Sequence, residues 1–169
     1  MKKTKLTLFV AVLAAALFGV GCSRVPKPDV AKAVKWKGHY YAIFTESLSW
    51  DAAKAECEKL GGHLVIIESE IENQFLWDLV STDKAVKDAI AKNKSNVFVH
   101  IGCFQSSDSK QWKWVNGQSI TYSNWSKATI LQKNTHGGIA LSPVSAFPSV
   151  KPSDWVNEYG DAFFICEWE

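Results

Sequence analysis

Long hydrophobic runs are scarce in this chain of 169 residues, and the one present lies at its start. Lys2, Lys3 and Lys5 precede an apolar and small-residue stretch from Leu6 to Gly21, 16 residues against the ~20 that span a bilayer. A positive start, a short apolar run and small residues at its end make a secretory signal. An excess of positive charge is also missing. The formal charge is +2, but three of the 19 basic residues belong to the leader, leaving 16 against 17 acidic ones. A near-neutral chain offers no basic face, so no nucleic-acid partner is expected. Cysteine is sparse: of four, Cys22 follows the leader directly, and Cys57, Cys103 and Cys166 remain. Export would place these three in a compartment that permits disulfides. The histidines at 39, 63, 100 and 136 show no spacing that suits a nucleophile's base or zinc. No catalytic residue, no metal ligand and no enzyme activity are expected.

What is present suits one globular domain with a real core, at 47% hydrophobic and 12% aromatic residues. Gly19-Val20-Gly21-Cys22 resembles a bacterial lipobox, in which the cysteine is acylated and becomes the new N-terminus; Gly19 stands where that motif usually has Leu. Ordinary cleavage after a small-x-small site and an uncleaved anchor are the competing readings. Several acyl chains on Cys22 would anchor firmly, at ~0.8 kcal/mol per buried CH₂. Ser23 to Ala33, with Pro26 and Pro28, has no apolar periodicity and reads as a tether. The boundaries expected are a signal peptide over 1–21, the lipidated cysteine and tether over 22–35, and a domain over 36–169. By resemblance to lipoprotein sorting signals, Ser23 after the cysteine favours the outer membrane or cell surface of a bacterial envelope over the inner membrane.

Within the domain, Val97 to Gly102 reads as a buried strand, Gln105 to Lys110 as a polar turn, and Trp112 to Val115 as a second strand. Asn116-Gly117 predicts a type I′ hairpin, since both residues tolerate positive φ. Ile120, Tyr122 and Trp125 resume the apolar series. Upstream, His39 to Phe44 is a candidate first strand. Ser49 caps a helix ended by Gly61-Gly62, with Trp50, Ala53, Cys57 and Leu60 on one face, which turns Cys57 inward. Ser69 and Glu72 predict a capping box for a second helix with Ile71, Phe75, Leu76 and Leu79 as its buried stripe. Asp83 to Lys92 predicts a short third helix.

The order of these parts resembles the C-type lectin-like domain: Trp50 to Cys57, Gly61-Gly62-His63-Leu64-Val65, the Ile101-Gly102 strand, Trp112-Lys113-Trp114-Val115-Asn116-Gly117, Tyr122-Ser123-Asn124-Trp125, and Phe164-Ile165-Cys166-Glu167. The match runs from about Gly38 to Glu169. It implies an α+β fold, with two main helices packed on antiparallel sheets beside a long irregular loop region, and makes 83–96 a helical insertion. The family pattern pairs the first-helix cysteine with that of the last strand, here Cys57 with Cys166. Cys103, where the family usually has Leu, reads as a buried thiol that packs as a small hydrophobe. His100 stands where the family often has Trp.

Sugar-binding members hold calcium through oxygen ligands that follow the Asn-Trp and through an Asn-Asp pair after a later Trp. Calcium takes 6–8 oxygens. Here Ser126 to Gly138 contains no carboxylate, and Trp155 is followed by Val156 and neutral Asn157. No calcium and no other cofactor are expected. The long loop of the family corresponds to Asn124–Val150, with a strand expected over Gly138–Leu141. Lys133, Asn134, His136, Trp155 and Asn157 are the candidate ligand-binding residues. The reading is a non-catalytic, envelope-anchored recognition domain that binds a carbohydrate or protein ligand without calcium. The alternative is a structural or assembly lipoprotein that holds a protein partner through the same surface or the lysine-bearing insertion.

Overall fold

The computed structural model describes residues 28–93, 97–105, 111–126, 136–140, 154–158 and 160–169. The leader, Cys22, Lys133 and Asn134 lie outside them. The described residues form β1 (Val34–Trp36), β2 (His39–Leu48), α1 (Trp50–Lys59), β3 (His63–Leu64), α2 (Glu70–Thr82), α3 (Lys84–Asn93), β4 (Phe98–Gln105), β5 (Trp112–Trp114), β6 (His136–Ala140), β7 (Trp155–Glu158) and β8 (Ala162–Trp168). One sheet runs in the order β1-β2-β8-β4-β6-β7, with β3 added to β8 and β5 to β4.

β8 is the spine. Its residues Phe164 to Trp168 are all buried, as befits a strand covered on both faces. Side chains alternate across a strand, so β8 feeds two cores. Phe164, Cys166 and Trp168 pack with Trp50, Ala53 and Cys57 of α1. Ile165 packs on the other face with Leu76 and Val80 of α2, Val86 of α3 and Val99, Ile101 and Cys103 of β4. The Trp168 indole Nε1–H donates to the Leu60 carbonyl at the end of α1, at 2.9 Å. β4 and β8 pair in parallel, Val99 opposite Phe163 and His100 opposite Phe164, so the sheet is mixed rather than wholly antiparallel.

The helices form where their caps predict. Ser49 accepts from the Ala52 amide and Ser69 from the Glu72 amide. Glu72 does not complete a reciprocal box with Ser69. Its Oε2 takes the Glu68 amide at 2.9 Å, and its Oε1 takes the Tyr41 hydroxyl at 2.7 Å. Tertiary contact has drawn the side chain one residue further back. Ile71, expected in the buried stripe of α2, is 63% exposed; the inward face is Glu72, Asn73, Leu76 and Val80. Asp83 Oδ1 caps α3 by accepting the amides of Ala85 and Val86 at 2.8 and 3.1 Å.

Two hairpins differ from expectation. Asn116 does not take positive φ. Gly117 does, at +85°, and its amide donates to the Trp114 carbonyl at 2.8 Å. This is a three-residue connection in which glycine alone adopts the left-handed region. The two-residue turn with both φ positive is Lys37-Gly38, at +45° and +105°, joining β2 to β1, a strand with no signal of its own in the sequence. Trp36 of β1 stacks on Phe75 of α2, with ring centroids 4.7 Å apart and planes 6° apart.

Candidate functional site

The sheet edge at β6 and β7 carries the long-loop region. The Trp155 amide donates to the Asn124 carbonyl at 2.8 Å, and the Ser126 amide donates to the Trp155 carbonyl at 2.9 Å. These two bonds clamp the chain entering the segment after Trp125 to the chain leaving it before Trp155. The clamp is filled with rings. Trp155 meets Trp114, Tyr122 and Trp125 edge to face at 5.6, 5.7 and 5.6 Å. Its Nε1–H donates to Asn73 Oδ1 at 2.7 Å. At 0% exposure Trp155 is a core residue with no face left for a ligand, which removes it from the candidate binding set. Its burial satisfies the indole N–H and lays its quadrupole against the edges of three neighbours, a favourable arrangement.

His136 opens β6, half-buried, its imidazole stacked on Trp50 at 4.3 Å and 10°. Burial lowers its pKa, with the Asp51 carboxylate opposing, so the ring is neutral near pH 7. Asn157 of β7 lies across from Gly137 of β6, also half-buried. His136 pairs with Glu158 and Asn157 with Gly137, so alternation puts the two candidate side chains on opposite faces of the sheet, and the structure does not bring them together. Lys133 and Asn134 precede them in sequence, outside the described residues.

Cys57 and Cys166 face each other between α1 and β8. Both are fully buried, and the Cys166 Sγ lies 4.0 Å from the Cys57 carbonyl. They are thiols in this structure, and the Cys57 thiol, followed by burial, pushes the Cys166 pKa far up. Cys103 is fully buried under Gly137, and burial raises its pKa beyond any nucleophilic range.

A second polar group was not singled out from the sequence, because its members are far apart along the chain. Glu167, buried in β8, accepts from His39 Nδ1 at 2.8 Å through Oε1 and from the Ile66 amide at 2.9 Å through Oε2. His63 Nε2 lies 3.5 Å from Glu169 Oε1. Burial raises the Glu167 pKa against His39 and the Ile66 amide. Burial pulls His39 down, but the hydrogen bond and charge of Glu167 more than offset it, so its net shift is upward. Both shifts favour a proton held between the two. Beside this group is a hollow of ≈ 290 Å³ lined by Trp36, Lys37, His39, Tyr41, Glu68, Ser69 and Glu72. The only signal available beforehand was the presence of His39 and His63 flanking apolar strands.

A family model described as the lectin C-type domain matches residues 46–158, from near the end of β2 to the end of β7. The chain belongs to the C-type lectin domain family. Among C-type lectin relatives, it is 30% identical over 162 residues to one chain of the snaclec coagulation factor IX/factor X-binding protein of Trimeresurus stejnegeri, covering 92% of this chain and 91% of that one. The fold is shared with SPL-1, solved as a GlcNAc complex, at a TM-score of 0.65 and 18% identity over 81% of this chain and 92% of that one. It is shared equally with the Ca²⁺-independent C-type lectin SPL-2 of Saxidomus purpuratus, at 0.64 and 19% over 82% and 91%.

Proposed function

We propose that this C-type lectin domain is a non-catalytic recognition module, lipid-anchored on a bacterial envelope, that binds a glycan or protein ligand through its long-loop surface without calcium. The observation that carries the reading is the clamp of Asn124 and Ser126 on Trp155. It makes the segment between them leave and return at one place on a rigid aromatic base. A surface whose base is already ordered loses less freedom on binding, which leaves more of the contact energy as affinity. Asn157 follows the clamp on β7, and Lys133, Asn134 and His136 lie within the segment as further polar contacts for hydroxyls or carbonyls. Calcium independence is supported by the sequence: Ser126 to Val150 carries no Asp or Glu, where a calcium ion would need several hard oxygen ligands. That SPL-2 is a calcium-independent C-type lectin supports the same reading. So does the GlcNAc-bound state of SPL-1 for a glycan, and the factor-binding snaclec for a protein.

The anchor rests on Lys2, Lys3, Lys5, the apolar run and Cys22, with 22–35 as tether. The second reading, a structural or assembly lipoprotein, is favoured by one observation: α3 docks through Val86 and turns Lys84 outward. Glycan-array binding by the full chain in the presence of a chelator separates the two. Saturable binding with chelator present is expected; its loss on chelation would restore a calcium site and overturn the proposal. If no glycan binds, and cross-linking to an envelope protein is lost on replacing Lys84 and Lys87 by Ala, the second reading replaces the first. Cys22→Ala should move the protein from the membrane fraction to the soluble one, and retention there would overturn the lipid anchor.

A further inference from the structure

Charge is divided unevenly along this chain. Between Cys22 and Tyr41 stand five basic residues, Arg24, Lys27, Lys32, Lys35 and Lys37, against one acidic residue, Asp29. From Ala42 to Glu169 there are eleven basic residues against sixteen acidic ones. The near-neutral total hides a positive start on a negative body. Lys32, Lys35 and Lys37 lie on or beside β1, the edge strand of the sheet, and all three are exposed, as is Val34 at 40%. Resting on the reading of Cys22 as a lipid anchor, we infer that the β1–β2 hairpin and the chain leading into it form a docking surface for anionic phospholipid headgroups. Docking there lays the β1 edge of the domain against the membrane.

The charges of the hairpin are left unspent by the fold. Among the described residues none of the three lysines meets a carboxylate, whereas Lys54 and Lys59 of α1 each hold a glutamate. Lys35 Nζ lies over the Tyr40 ring at 5.2 Å and Lys37 Nζ over the Trp36 ring at 4.8 Å. A ring face attracts an ammonium without cancelling its charge, so both groups can still meet a phosphate. The platform beneath them is firm. Val30 and Ala33 pack with the Trp50 cluster, and the Ala33 amide donates to the Val30 carbonyl at 3.0 Å. The chain therefore enters the domain at the β1 edge. Only the eight residues from Cys22 to Asp29 separate the anchor from Val30, a reach of at most about 25–30 Å. Tethering this short keeps the hairpin at high effective concentration near the bilayer, where weak contacts suffice.

Each Lys or Arg close to an anionic bilayer strengthens binding about fivefold, and the attraction fades within a Debye length of ~8–10 Å. An acyl anchor joined to a basic patch holds more firmly than either alone. Lysines on an edge strand also deter pairing with another chain, but that purpose does not call for Arg24, Lys27 and Lys32, which precede the strand. The body of the domain, with its acidic excess, is on balance repelled by the same headgroups, which favours the hairpin as the side that approaches.

The test places a fluorophore on the hairpin of the full lipidated chain through Val34→Cys. Cys57, Cys103 and Cys166 are buried and Cys22 is blocked by its acyl groups, so the new thiol alone reacts. Vesicles of phosphatidylcholine, with or without phosphatidylglycerol, carry a nitroxide on the headgroups of a small fraction of the lipid. Quenching is expected with phosphatidylglycerol present, and it should vanish at about 1 M salt, where the Debye length is ~3 Å. Lys32→Gln combined with Lys35→Gln should lower the ratio of docked to undocked protein roughly 25-fold. A label at Gln118→Cys, in the turn after β5, should stay unquenched. Equal quenching at both labels, equal quenching without phosphatidylglycerol, or quenching untouched by salt would each overturn the docking surface. Should the double variant lose its near-UV circular dichroism, the salt dependence of the parent chain decides alone. Sedimentation of the same samples reads the anchor separately. Protein that sediments with both kinds of vesicle but shows no quenching keeps the anchor and loses the docking surface. Salt-sensitive binding to the phosphatidylglycerol vesicles alone keeps the docking surface and removes the anchor.

Discussion

Gly137 occupies a position where any side chain would collide: a β-carbon there would lie 2.1 Å from Cys103 Sγ. Gly137→Ala should therefore destabilise the domain by about 1–3 kcal/mol through overpacking. Adding Cys103→Ala should recover much of that loss. Urea melts of the single and double variants measure the coupling, and strict additivity would refute the contact. His100 gives a second test at this scale. It is fully buried, its Nε2 bonds the Leu48 carbonyl at 3.0 Å, and burial lowers its pKa to about 4 against the backbone groups of Leu48 and Gly160. The folded value lies below the unfolded 6.5, so the unfolded chain takes the proton first. Stability should fall as pH drops from about 6.5 towards 4, by roughly 3 kcal/mol. His39 and Glu167, whose folded values are raised, act with the opposite slope: their contribution is present at low pH and fades as pH rises through them. The difference between wild type and His100→Gln isolates the His100 limb, and an unchanged difference across that window would refute it. That His100 is a packed, hydrogen-bonded imidazole was implied by the family resemblance, since it stands where the family often has Trp. For Trp155 both readings stood open: tryptophans at such places in the family are more often core, yet one beside a polar loop has the same sequence signature whether it faces inward or outward.

At the scale of elements, local chemistry carried most of the reading. Ser49, Ser69 and Asp83 each sit where a free helix amide needs an acceptor, and all three are bonded to one. Asp83→Ala should cost about 1 kcal/mol and fray α3. Hydrogen exchange at Ala85 and Val86 should accelerate while that of α1 stays unchanged; equal acceleration in both helices would mean the cap acts globally. Where local signals misled, a tertiary partner overrode them. Asn116-Gly117 is a strong two-residue turn signal, yet Lys113 pairs with Ser119, leaving room for only one left-handed residue. Lys37 takes positive φ with no sequence preference for it because Trp36 is held on Phe75 and β1 must fold back onto β2. Ile71 is exposed because the inward face of α2 is set by Glu72 reaching Tyr41, a contact that no helical periodicity contains.

For the whole molecule, the sharpest expectation concerns sulfur. α1 and β8 place Cys57 and Cys166 in one buried cluster, 109 positions apart in sequence. A bond between them would close a loop worth at most ~4–5 kcal/mol on the chain-entropy model. Non-reducing peptide mapping of exported protein should find Cys57 joined to Cys166 and Cys103 free. A bridge to Cys103 would require the sheet between the two cores to open, and would contradict the β4 packing.

The amino-acid sequence by itself determined the helices and most strands: their periodicity, their caps and the order of aromatic motifs that marks the family are all local properties, written within a helical turn or a hairpin. Only the tertiary structure decided which face of β8 met which helix, that β4 runs parallel to it, that Trp155 is buried among Trp114, Tyr122 and Trp125, and that His39 and Glu167 meet across 128 positions. The reason is physical. Local preferences depend on backbone geometry over a few residues, whereas burial and the pairing of distant polar groups depend on how whole surfaces exclude water, and no spacing along the chain encodes that.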